Sequence, residues 1–98
     1  MSFTLLLTTE AADGLSVLEA KPQSVGRLER VRTALGRLQL DPGDPALNSH
    51  KYVSLTGKNG EEVWDSYIEH RTPTTGRIYW HYGPGADRIT VVVITPTA

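Results

Sequence analysis

The sequence predicts an α+β domain: one strand, a helical hairpin, then three or four strands forming a mainly antiparallel sheet (β-α-α-β-β-β). The helices are expected to cover one face of that sheet. Three observations carry this. Two stretches near the N-terminus repeat apolar residues at helical spacing. Beyond Pro45 the apolar residues instead alternate or come in short blocks, as strands require. Asn59-Gly60, the tract Thr72–Gly76 and Gly83-Pro84-Gly85 separate those blocks, and all are turn formers. Helices followed by a run of strands argue for segregated layers.

The chain has 98 residues, which fits a single domain over 1–98. It contains no cysteine, which excludes a disulfide framework and thiolate metal sites and suits a reducing cytoplasm. The apolar runs Leu5–Leu7 and Val91–Ile94 are far too short to cross a bilayer, and no signal-peptide pattern is present. Net charge is −1, so the bulk value does not advertise nucleic-acid binding. Its distribution is uneven: Arg27–Arg37 holds four arginines and one glutamate, whereas Glu61–Glu69 holds four acids and no lysine or arginine.

In the first strand, Phe3, Leu5 and Leu7 alternate onto one face. Thr9 is the expected cap of the first helix, where Ala11, Leu15 and Leu18 recur at helical spacing. Pro22 ends that helix or begins the next. The second helix, Ser24–Leu40, has Val25, Leu28, Val31, Leu35 and Leu38 on one stripe, with Ser24 as its expected cap. Asp41–Pro45 then forbids further helix. With Asn59-Gly60 as the hairpin turn, Leu55 should face Trp64 and Tyr52 should face Tyr67. Strands over Glu62–Arg71, Arg77–Tyr82 and Arg88–Thr95 complete the sheet. If the Thr72–Gly76 loop sets Arg71 opposite Arg77, Glu69 faces Tyr79 and Tyr67 faces His81.

Alternation then divides the side chains. Trp64, Ile68, Ile78, Trp80 and Tyr82 form the apolar face that should meet the helices. Asp65, Tyr67, Glu69, Arg71, Arg77, Tyr79 and His81 share the open face. Two arginines suit phosphate, because a planar guanidinium grips it bidentately. A histidine on the same face suits proton transfer. The plainer reading is a set of cross-strand pairs on a wet sheet face, with the tyrosines packing across it. No histidine–carboxylate spacing gathers a metal-ligand set, and neither Gly83–Asp87 nor Gly57–Glu62 has the context of a phosphate loop.

His50-Lys51, Arg71 and the stretch "GRIYWHY" with Arg77, in this order and spacing, resemble the RelE/ParE superfamily. These are toxins of bacterial type II toxin–antitoxin modules. The resemblance covers most of the chain. It implies a strand, a helical hairpin and an antiparallel sheet, and a cognate antitoxin covering the open face. In the RelE-like branch it implies a metal-independent, cofactor-free endoribonuclease acting on mRNA in the ribosome. Arg77, Arg71, Lys51 and Tyr79 would then contact RNA, with Arg77, Arg71, His81 and Glu69 as the catalytic group, Glu69 as base. Two departures stand out. Tyr67 and Glu69 occupy strand positions where RNA-cleaving members often carry lysine, and the tail Ile94–Ala98 has no ionisable side chain. The alternative is therefore a non-enzymatic protein on the same fold, either a ParE-like binder of DNA gyrase or an inert relative that binds only its antitoxin.

Overall fold

The chain opens with strand β1 (Thr4–Leu7) and turns at once into helix α1 (Thr9–Ala20). The structure is a computed structural model, and it describes residues 2–69 and 76–95. Thr8 makes the first turn. Its Oγ1 accepts from the Ala11 amide at 3.1 Å and donates to the Val92 carbonyl at 2.6 Å. One hydroxyl thus satisfies an orphan helix N–H and fastens the helix start to the last strand. The expected cap, Thr9, is already inside the helix. Capping needs a residue with extended backbone, and that residue is Thr8, at ψ 164°.

A single 3-10 turn at Pro22–Ser24 leads into helix α2 (Val25–Leu40). Ser24 ends that turn at φ −99° and ψ 10°, so its hydroxyl makes no capping bond. Val31, Ala34 and Leu38 form the buried stripe of α2, flanked by Leu28 and Leu35. Val25, expected on that stripe, is exposed in the first turn.

Strands β2 (His50–Thr56), β3 (Glu62–Tyr67), β4 (Arg77–Tyr82) and β5 (Arg88–Thr95) follow. They form one five-stranded sheet in the order β1-β5-β4-β3-β2. β1 runs parallel to β5, and the other pairs are antiparallel. The expected α+β architecture is therefore the observed one.

Two registers differ from expectation. Tyr67, not Arg71, is opposite Arg77, and Asp65, not Glu69, is opposite Tyr79. The cause is the early end of β3: the chain leaves the strand at Tyr67, so the connection is longer than a Thr72–Gly76 turn. The displacement is an even number of residues, so every side chain keeps its face. In the first hairpin, Thr56 is opposite Glu62 across a turn closed by the Gly57 amide and the Glu61 carbonyl at 2.9 Å. Gly60 there has φ +85°, a conformation glycine takes at little cost. Beyond it, Tyr52–Leu55 bulges out of β2 before Lys51 pairs with Trp64. The expected pairs Leu55–Trp64 and Tyr52–Tyr67 do not form.

The core lies between the helices and one face of the sheet. Ala11 and Leu18 of α1 and the buried stripe of α2 meet Ile78, Trp80, Ile89, Val91 and Ile94, with Ile68 and Leu47 closing the ends. One polar chain crosses this layer. Trp80 Nε1 donates to Ser66 Oγ at 2.8 Å, Ser66 Oγ lies 2.6 Å from Ser49 Oγ, and Ser49 Oγ donates to the Pro42 carbonyl at 3.2 Å. A hydroxyl has one proton to give, so the chain runs one way, from Trp80 through Ser66 and Ser49 to Pro42. It pins the loop before β2 to the sheet and so fixes where β2 begins.

Candidate functional site: an arginine, a histidine and a buried carboxylate

Asp65 is at the centre of the sheet face that the helices leave uncovered. It is 2 % exposed. A carboxylate buried this deeply needs partners, and Arg77 and His50 supply them. Arg77 Nη1 donates to Asp65 Oδ1 at 2.9 Å, and His50 Nε2 lies 3.1 Å from the same oxygen. The registers explain the meeting: His50 is directly opposite Asp65, and Arg77 is opposite Tyr67, two residues along β3.

Each partner has a second support. The Arg77 guanidinium stands 4.5 Å from the centre of the Tyr67 ring. The His50 ring meets Tyr67 edge-on at 6.2 Å. Its Nδ1 lies 2.9 Å from the Asn48 carbonyl, and Asn48 takes a left-handed conformation at φ 46°. Both partners of the His50 ring are acceptors, so only a ring protonated on both nitrogens donates to both. Tyr52 and Tyr79 pack at 4.8 Å beside this cluster. The result is a patch with a guanidinium and an imidazole around one carboxylate, bordered by three tyrosines. A guanidinium beside exposed ring faces is the chemistry that suits an anion next to a stacked ring.

The sequence-selected residues divide. Arg77 and Tyr79 are on this face. Lys51 is not: it is opposite Trp64, so strand parity sends it to the other face. There its Nζ lies 3.3 Å from Glu62 and 5.8 Å from the Trp64 ring centre. Glu69 does not stand beside His81. It lies past the end of β3 and pairs with Arg30 Nε of α2 at 2.9 Å. His81 keeps its parity with Arg77 and Tyr79 but is 5 % exposed. It faces a separate pocket under the Gly57–Glu61 turn. Arg71 and His70 lie outside the described residues.

His50 was passed over in favour of Lys51, although a signal existed. The assumed hairpin pairing, carried to the foot of β2, already puts His50 on the Asp65 face and Lys51 on the Trp64 face. Asp65, one of several open-face residues in the alternation, is the anchor of the cluster by its depth and its two partners. Among the described residues no group of three or more His, Asp or Glu side chains could hold a metal ion. No helix among them is long and apolar enough to cross a membrane.

A helical pair on one face of a five-stranded sheet, with Arg77 opening its central strand β4, is a fold shared with solved RelE and YoeB/ParE toxins. A chain of the archaeal RelE–RelB complex from Pyrococcus horikoshii OT3 superposes with a TM-score of 0.64 at 12% identity, covering 100% of this chain and 98% of that one. The YoeB/ParE toxin from Agrobacterium tumefaciens gives 0.64 at 14% identity, over 93% and 94% of the two chains. No protein-family model matches the sequence, and no characterised protein matches it at sequence level. The likeness is one of fold.

Proposed function

We propose that this protein is the toxin of a toxin–antitoxin pair and that it cleaves single-stranded RNA, with mRNA on the ribosome as its substrate. The observation that carries the reading is Arg77, stacked on Tyr67 and anchored by buried Asp65, at the strand position where the resemblance puts a phosphate-binding arginine. The RelE–RelB complex among the structural neighbours supports an antitoxin as partner.

In this reading the 2′-hydroxyl attacks the adjacent phosphorus and the bond to the 5′-oxygen breaks. Arg77 holds the phosphate and stabilises the charge that gathers on its oxygens. His50, held by Asp65 through Nε2 and by the Asn48 carbonyl through Nδ1, shapes the wall of the phosphate site, and the departing 5′-oxygen takes its proton from water. Asp65 positions both groups. Tyr52 and Tyr79 offer ring faces to the flanking bases. The geometry supports a phosphate clamp, and it leaves the proton transfers at the 2′- and 5′-oxygens to water. Arg71 remains part of the proposal through the resemblance alone.

The test is induction in a bacterial host with growth and message integrity followed together. Arrested growth with cleaved message is expected, and Arg77→Ala and His50→Ala should each restore both. Normal growth with intact message overturns the reading. One observation favours the non-enzymatic alternative: Asp65 offsets part of the Arg77 charge, and Lys51 points away from the face. Arrested growth with filamentation and DNA breaks but intact message would assign the protein to gyrase binding. No arrest at all would leave antitoxin binding as its activity.

A further inference from the structure

A second pocket on the same sheet face takes no part in that chemistry. It has a volume of about 330 Å³, and its lining includes His81, Lys58, Glu61, Thr90, Pro84 and Val92. His81 lies four residues beyond Arg77 on β4, roughly 13 Å at strand spacing. The pocket and the Arg77 cluster are therefore separate subsites on one face.

The polar groups of this pocket have definite roles. His81 Nδ1 lies 2.8 Å from the Tyr82 carbonyl. A carbonyl only accepts, so Nδ1 carries the hydrogen, and in the neutral ring the lone pair is on Nε2. Among the described residues Nε2 bonds to nothing, and it is not sealed from solvent. A ring 5 % exposed therefore presents an acceptor to the cavity it lines. Glu61 is a second acceptor. Its Oε1 receives the Asn59 amide at 2.9 Å, its own backbone N–H and the Asn59 side chain also bond the carboxylate, and of its roughly four lone-pair sites one is left for a ligand. Lys58, on the same turn, is the donor. Pro84 and Val92 supply apolar wall.

We propose that this pocket binds a guanine base, and that in the RNA-cleaving reading, on which this part rests, the base belongs to the substrate strand. Two acceptors require two donor groups on the ligand. Guanine alone among the four bases has two, N1–H and the 2-amino group; adenine, cytosine and uracil each have one. Lys58 then answers the O6 and N7 acceptors, a pairing lysine makes with guanine elsewhere. Single-stranded RNA is commonly read in this way, with a splayed base hydrogen-bonded on its edge inside a pocket.

The experiment follows the His81 ring signals by NMR while the intact protein is titrated with GMP, IMP, AMP, CMP and UMP, and with a five-nucleotide RNA containing one guanine. GMP should shift the His81 signals. IMP, lacking the 2-amino group, should bind about tenfold more weakly, and the other three more weakly still. The RNA should bind more tightly than GMP and compete with it. Lys58→Ala, on the exposed turn, should lower GMP affinity several-fold, and His81→Phe should remove the preference for GMP over IMP. Equal binding of all five nucleotides, no shift at His81, or an unchanged GMP affinity in Lys58→Ala overturns the site. GMP binding without competition by RNA overturns the substrate part and makes a free guanine nucleotide the ligand. These measurements need no ribosome and no cleavage. Guanine selectivity in a protein that cuts no message would therefore sink the nuclease reading and leave the pocket standing.

Discussion

Arg77 donates to Asp65 at 2.9 Å across neighbouring strands, and the acceptor is among the most deeply buried polar groups of the sheet. The pair is diagonal: Asp65 is opposite Tyr79, and Arg77 is opposite Tyr67. A guanidinium held in this way is fixed in position before any ligand arrives, which is how a binding site avoids the entropy cost of ordering a long side chain.

Asp65→Ala should destabilise the fold. It leaves Arg77 and His50 beside a buried gap, but both are partly exposed, at 25% and 49% side-chain exposure. The cost is therefore below that of a fully buried pair, about 2 kcal/mol. Thermal denaturation should show a fall of roughly 10 °C in Tm. A fall under 2–3 °C, on the order of what a neutral surface change gives, would show that Asp65 does not anchor the cluster.

Arg77→Lys should be nearly as damaging as Arg77→Ala for RNA cleavage. Lysine keeps the charge but neither stacks flat on Tyr67 nor grips two phosphate oxygens. A loss of about 10²-fold in cleavage rate is expected for either variant, read by primer extension on a defined message with ribosomes. Near wild-type cleavage by Arg77→Lys would reduce the role of the residue to charge alone.

Ser66→Ala breaks the one-way chain from Trp80 to Pro42 in its middle. The Trp80 indole N–H loses its acceptor inside the core, at a cost of about 1–3 kcal/mol. Urea denaturation should move to a lower midpoint with an unchanged slope. Because Ser49 immediately precedes His50, the ring signals of His50 should move as well. Stability loss without that movement would separate the core network from the site.

Glu61 should contribute a pH-dependent stability. Backbone N–H groups of its own residue and of Asn59 lower its carboxyl below the usual value of 4.5, and His81 lowers it further. A lowered folded-state value means the ionised form is favoured in the folded protein. The contribution is thus complete above the ordinary carboxylate range and disappears as pH falls through the lower, folded value. The stability gap between wild type and Glu61→Gln should close as the pH falls below 4.5. A gap that widens on acidification would contradict the assignment.

The layers and faces of this fold were legible in the sequence because they depend on parity. Ile78 and Trp80 alternate with Arg77, Tyr79 and His81, and no even displacement of the strands changes which side each one takes. The pairings were not legible. Nothing local marks Tyr67 as the end of β3, since Ile68 and Glu69 continue the alternation, and Ile68 is in fact buried. The bulge of β2 is equally silent, because Tyr52–Leu55 is a good strand sequence. These two irregularities remove Glu69 from His81 and bring His50 to Asp65. Site chemistry depends on distances, and distances depend on register, so the residue types were readable before their partners were.

Strand β1 has its partner at the other end of the described chain, with Thr4 matched to Arg88. The remaining strands pair with sequence neighbours and close short loops, whereas this pair closes a long one, which is slower to form. Synthesis runs from β1 to β5, so the first strand made waits longest for its place. Until β5 emerges, α1 also lacks the Val92 carbonyl that holds its start. The first strand made and the helix start behind it are therefore both secured only when the last strand docks.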